Sequence, residues 1–152
     1  MAAQNLTYYD IVKDFETACN AHYQISSFDS GTIDYLDASA VNRLYPFVYM
    51  RPLSAILADK QRTLNFELYS LDQPKVGSSN NIQVVSDTEQ YIYDLMAYFN
   101  WGPASRSQVY DVQLINAAPV NEAFEDRVFG WVATIDVITP FMLDYCNYPG
   151  NV

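Results

Sequence analysis

One histidine, two cysteines and five glycines stand in the 152 residues of this chain, and each scarcity removes a class of chemistry. With His22 alone, an HExxH zinc site is impossible, and any Ser-His or Cys-His pair has only that one side chain to use. Cys19 and Cys146 lie near opposite ends, form no CxxC and leave no third thiol for a zinc site. The two could join in one bridge, but Cys19 falls on the apolar stripe of an expected helix, which predicts a buried free thiol. The few glycines supply no GxGxxG or GxxxxGK[ST] phosphate loop, and no GxSxG turn to present a hydrolase serine.

Cations are also scarce. Eight Lys and Arg face eighteen Asp and Glu, for a net charge of −10. A grip on nucleic acid comes mainly from Lys and Arg, so a DNA-binding surface is not expected. An acidic wall past which DNA slides without sticking is compatible with this balance, as is plain solubility. No apolar run approaches the ~20 residues that cross a bilayer. The start, MAAQNLTYYD, has neither the basic end nor the hydrophobic run of a signal peptide. The expectation is a soluble, intracellular product with no membrane partner.

Apolar and aromatic material, by contrast, is plentiful. Half the residues are hydrophobic, enough for a core without metal or disulfide staples, and the length suits one domain burying about 70% of its unfolded surface. Thirteen tyrosines and eight phenylalanines enrich the aromatics. Tyrosine combines a wide apolar ring with a hydroxyl tip, which suits protein–protein surfaces as well as strands and cores.

Residues 6–22 predict a first helix. Tyr8, Ile11, Val12, Phe15, Cys19 and His22 form its apolar stripe, with Asn5 or Thr7 as the cap. His22 closes the stripe as a packed or surface residue rather than a ligand or base. Residues 26–44 read as a loop. Its Asp29, Asp34 and Asp37 lack the alternate spacing and final Glu of a calcium loop, and are taken as solvated carboxylates.

Residues 45–71 carry two strands. The first is YPFVYM, ended by Pro52; the second covers 62–69, with Leu64, Phe66 and Leu68 facing a core and Thr63, Asn65 and Glu67 facing water. Phe66→Ala is then expected to cost ~3–5 kcal/mol and Glu67→Ala hardly anything. Residues 72–81, including Lys75, form a polar, flexible connection.

In SDTEQYIYDLMAYFNWG, Ser86 and Glu89 make a capping box opening a second helix over 86–100. Ile92, Leu95, Met96 and Phe99 share one face, and Gly102 and Pro103 stop it. Residues 108–138 hold two more strands, VYDVQLI and RVFGWVATIDVITP. Between them NAAPVNEAFED reads as a solvated turn with Glu122, Glu125 and Asp126. Gly130 beside Trp131 marks a bulge or a close approach of another chain. Residues 141–152 form a tail that adds at most an edge strand.

This order predicts a single α+β domain over residues 1–152: an antiparallel or mixed sheet of four to five strands with two main helices packed on one face. No catalytic, cofactor-binding or metal-binding residue stands out. Carboxylate-only catalysis needs two acids held together in a cleft, and Asp136, the one acid inside an apolar strand pattern, alternates onto the Gly130 and Thr134 side. The expectation is a protein that is not an enzyme.

Four segments together carry a resemblance: YPFVYM, TLNFELYSLD, the SDTEQYIYDLMAYF helix, and FGWVATIDV leading to a PF–LDYC tail. In order and character, from residue 45 to residue 146, the chain resembles small structural proteins of tailed bacteriophages of the tail-terminator and neck type. The resemblance implies a virion protein assembled in the host cytoplasm into a homo-oligomeric ring at the head–tail junction, six-fold favoured. Other tail or neck proteins are then its partners, DNA passes through the lumen without specific binding, and no cofactor is needed. It places Asp29, Asp34, Asp37, Lys75, Glu122, Glu125, Asp126 and Trp131 at interfaces or the lumen. A twelve-fold connector ring is the alternative within that class. A cytoplasmic ligand-binding or metal-dependent enzyme domain with an acidic cleft is the alternative outside it.

Overall fold

The fold comes from a computed structural model, which describes residues 6–32, 44–58, 60–74, 81–102, 110–123, 128–143 and 149–150. Thr7 starts helix α1 (Tyr8–Ala21) with a reciprocal capping box: its hydroxyl accepts from the Asp10 N–H while the Asp10 carboxylate accepts from the Thr7 N–H. Ile11, Phe15, Ala18 and Cys19 recur at helical spacing and are buried. Five strands follow, β1 (Ser27–Ser30), β2 (Phe47–Ala58), β3 (Gln61–Asp72), β4 (Asp111–Ala123) and β5 (Val128–Pro140), with helix α2 (Asn81–Trp101) between β3 and β4.

The strands form one mixed sheet in the order β1-β2-β3-β5-β4, in which only the β1–β2 pair is parallel. Among the described residues the α+β class, a mixed sheet within the expected four to five strands and two helices packed on it are as the sequence predicts, although one of the strands, β1, is not among those expected. Val48 and Met50 of β2, Leu64, Phe66 and Leu68 of β3, and Ala133, Ile135 and Val137 of β5 form the covered face. Against them pack Ile11, Phe15 and Cys19 of α1 and Ile92, Leu95 and Phe99 of α2, with the Phe15 and Phe99 rings stacked at 4.2 Å. Each of the Val, Leu, Ile, Met and Phe side chains among them contributes roughly 1.5–3 kcal/mol through burial. α1 lies over β1, whereas α2 lies over β3, β5 and β4.

Several boundaries differ from the sequence reading. β1 is a strand inside the expected loop, so Asp29 sits on the sheet, opposite Tyr49. β2 does not stop at Pro52 but runs eight residues past Met50. β1 covers β2 only from Phe47 to Met50, so at Pro52 the missing N–H removes no bond to a further strand. The register shift directly after Pro52 absorbs its geometry.

α2 begins at Asn81, five residues before Ser86, which therefore lies within the helix rather than capping it. Burying Val84 outweighs the weak helix preference of valine. Gln83 also donates to Asp87, 2.8 Å away and one turn on. β4 continues to Ala123 through the expected turn, because an edge strand tolerates Pro119 and two register shifts.

The wet-face expectation for β3 holds only over part of the strand. Near its end, Tyr69 and Leu71 join Phe47, Tyr49 and Val128 in a second apolar cluster on the opposite face of the sheet. The described parts of the tail, residues 141–143 and 149–150, are not strand.

Candidate interaction surface

Of the eight residues expected at interfaces or the lumen, the structure places three. Asp29 is half-buried on β1, and its carboxylate accepts from the Ser30 N–H at 2.8 Å. Glu122 lies on β4 rather than in a turn. Trp131 is half-buried on β5, with its indole N–H donating to the Val85 carbonyl of α2 at 2.9 Å. Asp34, Asp37, Lys75, Glu125 and Asp126 lie outside the described residues. Asp29, Glu122 and Trp131 stand on three different strands, β1, β4 and β5, and the first two belong to opposite edges of the sheet.

The most catalytic-looking geometry is a His–Asp pair. His22 Nε2 and Asp94 Oδ2 are 2.7 Å apart, and Gln90 holds the other Asp94 oxygen at 2.9 Å. The backbone N–H of Gln24 donates to His22 Nδ1 at 3.1 Å, which occupies that lone pair and leaves Nε2 to carry the proton to Asp94. Both ring nitrogens are thereby engaged, and the ring rests edge-on against Tyr91. The pair fastens the end of α1 to α2. Among the described residues, no group of three or more His, Cys, Asp or Glu is placed to hold a metal ion.

A second polar cluster lies where α1 meets β3 and β4. The Tyr110 hydroxyl donates to Asp14, and burial, then that bond and the Asp14 charge, hold the phenol far above its ordinary value. Arg62 donates to the Leu6 carbonyl and lies over the Phe141 ring at 4.7 Å, its Nε buried without a partner among the described residues. Burial pushes its pKa down, and the Tyr110 charge acts in the opposite direction.

The surface that departs most from an ordinary soluble face is the outer part of the β2–β3 hairpin. From Pro52 to Ala58 every residue of β2 is exposed, and the segment from Leu53 to Ala58 reads LSAILA, with no charge. Leu53 is 42% exposed, Ile56 60% and Leu57 50%. β3 pairs with this stretch on one side, while β1 ends short of it on the other. Lys60, in the left-handed region at φ 59, turns the hairpin. Phe141 folds back onto the turn, its N–H bonded to the Lys60 carbonyl at 3.0 Å. Leu57, Ala58, Lys60, Phe141, Met142 and Leu143 line a shallow depression of about 470 Å³. Met142 and Leu143 are 60% and 78% exposed.

An apolar, unpaired strand edge is a template for another chain. The opposite edge of the sheet, β4, is blunted by Pro119 and by shifts of register at Leu114/Asn116 and Val120/Ala123. The arm is not legible from residue order because Pro52 reads as a strand end. The uncharged LSAILA followed, after a two-residue turn, by the alternating β3 pattern was the available signal. Compared with known proteins, the chain matches no family model and no curated protein.

Proposed function

We propose that the chain is a structural subunit of a tailed-bacteriophage particle, forming a homo-oligomeric ring of tail-terminator or neck type around the DNA channel. On this reading it makes and breaks no bond, and its work is done by surfaces that fit copies of itself and adjoining virion proteins. Six-fold closure is favoured, and DNA passes through the acidic ring without specific binding. The observation that carries the reading is the exposed apolar β2–β3 arm, which an isolated chain leaves in water. The resemblance of the YPFVYM, TLNFELYSLD and FGWVATIDV segments supplies the virion setting. No helix among the described residues is long and apolar enough to cross a membrane.

Light scattering on the eluting peak of a sizing column, with negative-stain imaging of the same fraction, tests the proposal. Rings of one discrete mass are expected. A single-chain mass at high protein concentration would falsify it. Titration with Mg²⁺ or Ca²⁺ addresses the rival metal-dependent reading: a cation held only by the folded form raises the melting midpoint, and no rise is expected.

A further inference from the structure

Resting on the ring reading, we infer which two surfaces of the chain meet: the β2–β3 arm of one copy seats on the outer face of α2 of the next. Ile82, Ser86, Glu89, Tyr93, Ala97 and Trp101 follow one another by three or four residues, so they share one side of that helix. This side faces away from the sheet. Ile82 is 88% exposed, Tyr93 42% and Trp101 81%. The stripe is about 28 Å long, at 1.5 Å per residue.

Charge is complementary between the two surfaces. α2 carries Asp87, Glu89 and Asp94 and no Lys or Arg. Asp87 and Glu89 meet no cation among the described residues. The arm between residues 53 and 66 carries Lys60 and Arg62 against the single acid Asp59, a local excess of cation in a chain of net −10. Lys60 is exposed and forms no ion pair with a described residue. Apolar side chains stand on both surfaces: Ile56 on the arm, with Leu57 on the opposite face of the strand, and Ile82, Tyr93 and Trp101 on α2.

Position agrees with charge. The bare stretch of the arm is its β2 strand, toward one edge of the sheet, whereas α2 lies over β3, β5 and β4 toward the other edge. Donor and acceptor on different sides make a head-to-tail contact, the kind that closes into a ring when the rotation permits. Pairing of the bare β2 edge with the β2 of a second copy would instead stop at a two-fold dimer.

Disulfide trapping between two variants tests the contact. Ile56→Cys and Ala97→Cys are each made in a Cys146→Ser chain, while Cys19, buried and with its thiol pushed up to about 12, stays unreactive. Under mild oxidation a bond is expected in the mixture of the two variants and in neither alone. The doubly substituted chain should give a ladder ending in one closed species. In parallel, Lys60→Glu should reduce the particle to single chains, and Lys60→Glu with Glu89→Lys should restore the assembly. Assemblies that form without the mixed bond overturn this contact and leave the ring reading standing. A bond between two Ile56→Cys chains assigns the arm to a two-fold dimer and also overturns it. Single chains under all conditions overturn both.

Discussion

Gly130 on β5 lies so close to Ser70 on β3 that a Cβ added to it would sit 1.9 Å from the Ser70 carbonyl oxygen. The neighbour is backbone, bound into the sheet, and cannot swing away as a side-chain tip can. Gly130→Ala is therefore expected to lower stability by about 3 kcal/mol, the upper end for overpacking, through separation of the β3 and β5 ladders. Urea unfolding of the two proteins side by side measures it. An unchanged midpoint would show that the strands do not approach as described. What comes close at this glycine is β3 of the same chain, where the sequence reading expects a bulge or another chain.

Phe66 and Glu67 separate the two faces of β3. Phe66 is fully buried, and Phe66→Ala is expected to cost about 3–5 kcal/mol. Glu67 is less idle than its alternation suggests. It pairs with Arg51 at 2.7 Å and accepts from the Tyr69 hydroxyl at 3.1 Å, with its side chain only 20% exposed. Glu67→Ala should cost about 1 kcal/mol, discounted for the partial exposure of the pair. High salt should reduce that difference and leave the Phe66 effect intact. Equal losses for the two variants would mean the faces are assigned wrongly.

The parts of this architecture that were legible in the sequence share a cause. Where apolar residues repeat at a single period, as in Leu64-Phe66-Leu68 or Ile92-Leu95-Met96-Phe99, burial on one face dictates both the element and its orientation. The misread boundaries depend instead on what lies beside the strand. Pro52 and Pro119 are strand-breaking in the middle of a sheet and harmless at an edge, and residue order does not say which neighbour is present. The arm is illegible for that reason. A four-residue β1 was also illegible, because Ser27–Ser30 has no apolar alternation and is held by pairing to β2.

Alkaline pH should destabilise the fold. Burial, followed by the charge of Glu16, pushes the Cys19 thiol from 9.0 to about 12. Tyr8, Tyr69 and Tyr91 are raised above 10.0, in each case first by burial, and Tyr110 further still. A raised acid keeps its proton in the folded chain after the unfolded chain has released it. This contribution is complete below the unfolded values and is lost as pH rises from about 9 through the folded ones. Urea midpoints should hold near neutrality and fall steeply above pH 9. Tyr110→Phe should fall less steeply, because one proton has left the linkage. Parallel slopes would remove Tyr110 from the effect.

The two tryptophans are expected to fail in different ways. Trp131 holds the early turns of α2 to the sheet through its N–H bond to the Val85 carbonyl, a carbonyl that the Thr88 hydroxyl also reaches at 3.2 Å. Trp131→Phe keeps an aromatic ring but loses the donor. Because Thr88 still serves the carbonyl, the loss should be only about 0.5–1 kcal/mol. Amide exchange should quicken around Val84 and Thr88 while Phe99, at the far end of α2, is unaffected. Trp101 is mostly exposed and has no comparable tie among the described residues, so Trp101→Ala should leave the unfolding midpoint alone and weaken assembly. If Trp131→Phe impairs assembly with its fold intact, β5 rather than the outer face of α2 belongs at the subunit contact.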